Sequence, residues 1–283
     1  MSGANSQYLL HEQLINPALT GLDKCSIYKG LFQQQSWGQS PYLNSQILLT
    51  ESQYPGSKYN LHGLGLNVSR LGGQTLNYYS LSGAYAYNTM LNWNKGLRLA
   101  VGVQASLYNV GFDGFTASND EIFSRTYSGV NMSPGLSLYN ETFFMNLGYN
   151  NLVQDAGYSQ DIHPGNIMAH TGFYAGNTTS YLHYSPSVAV FISPEGDIES
   201  HVNISFNYKN NWWSALSLRA LPSEDSGLDP GLAAGIGYTY KRIRLKYAVQ
   251  IQTPDFPSNN YGTHNLMIGF RFCPKRCGCA EEF

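Results

Sequence analysis

Four cysteines, seven histidines and one acidic stretch are the residues of this 283-residue chain whose types and spacing suit chemistry. Cys25, Cys273, Cys277 and Cys279 form an even set, and the last three offer neighbouring thiolates for disulfides or for a zinc ion. Cys277-Gly278-Cys279 lacks the two-residue gap of a zinc knuckle, which favours disulfides. Hydrolysis at a barrel wall would need a serine nucleophile, a histidine base and an orienting asparagine. His11, His62, His163, His170, His183, His201 and His264 are scattered, and no Gly-x-Ser-x-Gly elbow accompanies them. His201 and His264 open candidate strands beside turns, where a rim hydrogen bond is the ordinary role. The stretch Ser223-Glu224-Asp225-Ser226-Gly227-Leu228-Asp229 sets carboxylates near a glycine, but lacks the ligand ladder of a calcium loop and reads as a solvated loop. No catalytic, cofactor or metal site is expected.

The elements that must position these residues are strands. Leu99, Val101, Val103, Ala105 and Leu107 alternate with Ala100, Gly102, Gln104, Ser106 and Tyr108, a period of two that recurs through most of the chain. Only 12% of residues are charged, against roughly 25% in soluble domains, yet no run approaches the roughly 20 apolar residues of a spanning helix. High glycine (29) and tyrosine (22) suit tight turns, small interior positions and interfacial aromatics. A soluble sandwich would turn the apolar faces inward. In Leu245, Tyr247, Val249 and Ile251 against Arg244, Lys246, Ala248 and Gln250, that would press two cations into an apolar core, at high cost. Leu266, Ile268, Phe270 and Phe272 repeat the scheme against Asn265, Met267, Gly269 and Arg271. The chain is therefore read as all-β: a closed antiparallel transmembrane β-barrel with its apolar faces toward lipid.

Fourteen strands are expected, at Cys25–Trp37, Tyr42–Glu51, Tyr59–Ser69, Gln74–Thr89, Gly96–Val110, Tyr127–Tyr139, Thr142–Asn150, Asn166–Gly176, Tyr181–Ser193, Glu199–Tyr208, Trp213–Ala220, Leu232–Tyr240, Ile243–Gln252 and Thr263–Phe272. An even count suits bacterial barrels, and tight turns at residues 139–141, 209–211 and 240–242 fall on one rim with both termini, the periplasmic one. Gly111–Arg125, Pro194–Asp197, Leu221–Gly231 and Thr253–Tyr261 read as looser loops of the opposite rim, while Leu152–Pro164 fits the register poorly. Thr89–Lys95 is longer than a tight turn should be. Tyr208, Trp212, Trp213, Tyr238, Tyr240 and Phe272 suit aromatic girdles at the two interfaces. Arg98, Gln104, Arg244, Lys246 and Arg271 are the polar set expected to line the lumen. Net charge is −2 without a long basic cluster, so nucleic acid is not a partner. Met1 to Leu10 lacks the form of a secretory signal, and the chain reads as a processed or recombinant form.

Asn16-Pro17-Ala18-Leu19-Thr20-Gly21, Gln35-Ser36-Trp37 with Pro41, Gly63 to Val68, Gly83-Ala84-Tyr85-Ala86-Tyr87, Gly96 to Gln104, Pro186-Ser187-Val188 and Cys273-Pro274-Lys275 resemble the PorP/SprF family. These are outer-membrane proteins of type IX secretion and gliding motility in Bacteroidetes. Leu19-Thr20 and the long cysteine tail depart from the family pattern. The resemblance implies a bacterial outer-membrane barrel that docks or assembles secretion components, or anchors a secreted adhesin, without catalysis or cofactor. Its implied partners are periplasmic and outer-membrane components of that machinery, and the bilayer itself. A transporter or channel for small hydrophobic or peptide solutes is the alternative.

The expected organisation is an N-terminal periplasmic segment over residues 1–24, a barrel over 25–272 and a cysteine-rich periplasmic tail over 273–283. Pro17 biases Asn16 toward extended backbone and Gly21 permits a positive φ before the first strand. Asn16, Pro17 and Gly21 are thus candidates for partner docking, or for a plug tucked under the barrel. Closure makes the first and last strands neighbours, so Cys25 is expected to pair with Cys273 or Cys277.

Overall fold

The structure, a computed structural model, describes residues 7–10, 14–23, 25–35, 43–55, 60–73, 76–116, 122–150, 153–154, 165–176, 181–209, 211–223, 227–252 and 262–273. A helical turn α1 (Gln7–Leu10) and a 3-10 turn (Pro17–Leu19) precede the sheet. Its strands are β1 (Ser26–Gln35), β2 (Leu43–Pro55), β3 (Asn60–Gly72), β4 (Leu76–Asn92), β5 (Leu97–Thr116), β6 (Ile122–Tyr139), β7 (Phe143–Asn150), β8 (Val153–Gln154), β9 (Asn166–Phe173), β10 (Leu182–Ile192), β11 (Ile198–Tyr208), β12 (Trp212–Ser223), β13 (Gly227–Tyr240), β14 (Ile243–Gln252) and β15 (Thr263–Phe272). All but β8 form one closed antiparallel ring. The two residues of β8 pair with Asn131 and Met132 of β6, and β7 meets β9 directly. Closure comes from β1 on β15, in a ladder from Ser26↔Phe272 to Gln34↔His264.

The fourteen ring strands match the fourteen expected from alternation, one for one. Leu107, Leu48, Leu218, Val202, Ile236, Leu245 and Phe270 are exposed on the outside, which gives the barrel a continuous apolar skin. Inside, Ala100, Ala189, Ser137, Asn146, Ala248, Asn265 and Met267 are buried. This inversion is what hydrocarbon demands, since a closed ring pairs backbone donors within the sheet while aliphatic side chains face lipid.

Several boundaries move. β4 continues to Asn92, so the connection to β5 shrinks to a turn at 93–96, closed by Gly96 N donating to Trp93 O at 3.3 Å. Pro194–Asp197 is likewise compact, with Ser193 N donating to Asp197 O and Gly196 N to Ser193 O, both at 3.0 Å. Much of Gly111–Arg125 and Leu221–Gly231 is strand rather than loop, and Pro230 sits opposite Ala220 in the ladder. There alternation fades in the sequence while pairing continues. Leu152–Pro164 and Thr253–Tyr261 lie outside the described residues, apart from β8.

β1 and β2 carry apolar side chains on their inner faces as well: Leu31, Ile47 and Leu49 are buried, while Leu48 points out. Something apolar must cover them from within. Cys25 and Cys273 form a disulfide at the rim where β1 begins and β15 ends, here called the terminal rim. Cys277 and Cys279 lie outside the described residues.

Two outcomes check this architecture. Leu107→Arg, on the lipid face, should lower the stability of the reconstituted barrel by about 2–4 kcal/mol in urea titration. Non-reducing peptide mapping should recover Cys25 joined to Cys273.

Candidate functional site

The inner covering is the chain's own N-terminal segment. Asn16 to Gly21 enters from the terminal rim and lies inside the barrel, with Asn16 and Ala18 0% exposed. Asn16 has extended backbone, and its Oδ1 accepts from Ala18 N at 2.9 Å as an N-cap to the turn that follows. Its Nδ2 donates to Leu136 O of β6 at 3.0 Å. Pro17 starts the turn, where a missing N–H costs nothing, and Thr20 N closes it onto Pro17 O at 3.1 Å. Gly21 has φ +68°; its N donates to Glu51 Oε2 at 3.0 Å and its carbonyl accepts from Gln53 Nε2 at 3.1 Å. Each residue of Asn-Pro-Ala-x-x-Gly that looked like a signature thus has a mechanical duty.

The wall is cut to receive this strap. A Cβ on Gly102 of β5 would lie 2.4 Å from Ala18 N, and one on Gly135 of β6 would lie 2.0 Å from Asn16 Oδ1. Only glycine permits approach that close. Upstream, Leu10 and Leu14 pack on Leu31, Ile47, Leu49, Ala248 and Met267, whereas Leu9 and Ile15 pack on Met168, Ala189 and Phe191. The strap therefore bridges opposite sides of the lumen, β1, β2, β14 and β15 on one and β9 and β10 on the other. Beside it a cavity of about 10 Å³, the scale of a single water, is lined by residues including Leu14, Leu49, Asn67 and Gln104.

Two buried charge clusters lie on the inner face of the wall. Lys29 Nζ lies 2.9 Å from Glu51 Oε1, so one carboxylate holds both a cation and the strap's Gly21. Glu199 Oε1 lies 2.6 Å from Arg219 Nε and 2.7 Å from His201 Nε2. His201 thus belongs to a lumen cluster instead of a rim hydrogen bond. His264 does lie on the outside, 2.5 Å from the Tyr247 hydroxyl, as does His62 at 2.8 Å from that of Tyr85.

The polar lumen set is distributed around the interior. Arg98 donates to Asn88 Oδ1 at 3.3 Å, Gln104 to Ser106 Oγ at 3.3 Å and Arg271 to Asp23 Oδ1 at 2.8 Å. Lys246 Nζ stands 3.9 Å over the Trp213 ring, while Arg244 shares its inner row on β14. Trp213 is therefore an interior residue, not part of a girdle. The other five aromatics gather at the terminal rim alone: the Trp212 and Tyr238 rings meet tilted at 4.6 Å, and Tyr208, Tyr240 and Phe272 are exposed beside them. Glu224, Asp225 and Ser226 lie outside the described residues.

Lys29, Glu51, Glu199 and Arg219 were missed from the sequence. Their signal was parity: each falls on the inward row of its strand. If the strap seals the lumen, Gly102→Val should expel it without dissolving the ring, read as new protease cleavage within residues 14–23 in a barrel that still resists heat in SDS.

Comparison with known proteins follows the same lines. The toluene transporter TbuX of Ralstonia pickettii superposes with a TM-score of 0.56 at 10% identity, over 94% of this chain and 93% of that one. Omp33 of Acinetobacter baumannii gives 0.54 at 11% identity, over 89% and 100%. At such identities the likeness is one of fold. No curated protein matches the chain. The model of the type IX secretion system membrane protein PorP/SprF matches residues 4–270, a span that takes in the strap and nearly the whole ring, and the chain belongs to that family.

Proposed function

We propose that this protein is a non-catalytic component of type IX secretion in the outer membrane, which docks and assembles secretion machinery or anchors a secreted surface adhesin. The observation that carries this reading is the strap inside the barrel: with two apolar clusters and two buried charge clusters it lies across the space that a solute path would use. A barrel whose lumen is packed offers its rims to partners. The same packing speaks against a channel or transporter for small hydrophobic or peptide solutes.

The short turns at 93–96, 140–142, 209–211 and 241–242 support a periplasmic terminal rim. On this reading it faces envelope components, including through the cysteine tail, while the far rim meets the secreted partner. Asn16, Pro17 and Gly21 contribute by holding the strap, and with it the shape of the terminal rim. Gly21 has no room for a side chain: a Cβ there would lie 2.7 Å from Gly63 Cα and 2.8 Å from Ser52 O.

Two measurements test the proposal. The purified protein in a planar bilayer should show no steady conductance, and a persistent open channel would replace docking with transport. Pro17→Ala combined with Gly21→Ala should insert normally yet recover several-fold less of its envelope partners on co-purification from native membranes. Undiminished recovery would remove the strap from partner docking.

A further inference from the structure

Two successive hairpin turns of the terminal rim share one chemistry. The turn between β11 and β12 presents Lys209, whose Nζ stands 5.3 Å from the Tyr208 ring and 5.4 Å from the Tyr181 ring. The turn between β13 and β14 presents Lys241, 5.2 Å from the Tyr240 ring, and Arg242, 6.0 Å from the ring of Phe272 at the end of β15. Tyr181 is 69% exposed and Tyr240 58%. Residues 174–181, 208–212 and 240–243 contain no Asp or Glu. Nearby Asp23 is already engaged by Arg271.

Backbone strain makes a second, independent observation. Lys209 (φ +51°) and Lys241 (φ +54°) are the only described non-glycine residues with positive φ. Glycine or asparagine would adopt that conformation more easily, and hairpin turns favour them there. Both lysines thus occupy left-handed turn positions beside a tyrosine, at the tips of two hairpins of the same rim.

Exposed aromatic rings at a barrel rim sit at the level of lipid headgroups. Cations held over those rings lie where headgroup phosphates lie, and both lysine and arginine donate charge-assisted hydrogen bonds to phosphate oxygens. We propose that Lys209, Lys241 and Arg242, framed by Tyr181, Tyr208, Tyr240 and Phe272, form a binding arc for the phosphates of anionic glycerophospholipids in the leaflet beside the terminal rim. The rings fix depth and the cations select charge. Because the arc covers β10 to β15 only, bound anionic lipid gathers on one side of the barrel.

The test is native mass spectrometry of the intact, disulfide-bonded barrel, in micelles with equimolar phosphatidylglycerol and phosphatidylcholine. The wild type should retain phosphatidylglycerol in preference, by roughly fivefold per cation engaged. Lys209→Asn with Lys241→Asn and Arg242→Gln should erase the preference, since asparagine tolerates the positive φ and leaves the turns intact. Lys95→Asn, a charge-matched change on the β4–β5 turn, should keep it. Equal retention of the two lipids by the wild type, or an unchanged preference in the triple variant, would overturn the arc. Stronger retention of lipid A than of phosphatidylglycerol would overturn the glycerophospholipid assignment.

Discussion

A sheet in hydrocarbon has no water to satisfy a free edge, and the pairing of β1 with β15 is therefore the contact on which the whole molecule rests. Without it, two rows of backbone donors and acceptors would face lipid. With it, each strand is equivalent to its neighbour, the ring has no end, and an apolar residue can point outward at every second position. The Cys25–Cys273 bond ties the two strands at the rim where they begin and end, across 248 residues of sequence. Hydrogen bonding and covalent closure thus act at the same seam.

Closure creates a second problem. Fourteen strands enclose more space than the small side chains on their inner faces can fill, and unfilled polar lumen admits water. Here the chain lays its own N-terminal segment across that space. The strap's polar turn, Asn16 to Gly21, lies against glycines and polar groups of β2, β3, β5 and β6, while Leu9, Leu10, Leu14 and Ile15 meet the apolar patches that would otherwise be wetted. Leu31, Ile47 and Leu49, buried on inner faces, pack with Leu10 and Leu14 of the strap and with Ala248, Met267 and Trp213 of the wall.

Strands were legible because their two solvents differ: wherever one face meets lipid and the other the interior, hydrophobicity alternates, and β14 and β15 were placed to the residue. Legibility ended where the alternation stops. Leu228-Asp229-Pro230 shows no alternation and looks like loop, yet pairs in the ladder because its partner strand β12 extends equally far. Trp213 suits a girdle by its place near a strand end, but adjacent residues of a strand face opposite ways, and only one of Trp212 and Trp213 can be outside. The strap's docking sites in the wall were invisible for another reason. Gly102 and Gly135 resemble any small lumen residue until the segment pressed against them is in place, a relation between residues far apart in sequence. The charge clusters were open to parity on each strand separately, but pairing Glu199 with Arg219 required the register between β11 and β12.

The bond between Cys25 and Cys273 has a topological meaning as well. It turns the wall into a covalent hoop, and the strap leaves that hoop next to the crosslink and doubles back through its opening. The molecule is in this sense a lasso, with the barrel as its noose. Oxidation after the strap is seated locks a finished arrangement, whereas oxidation before it leaves a free tail to be threaded. The timing of one thiol reaction relative to folding thereby decides which route to the native state is open.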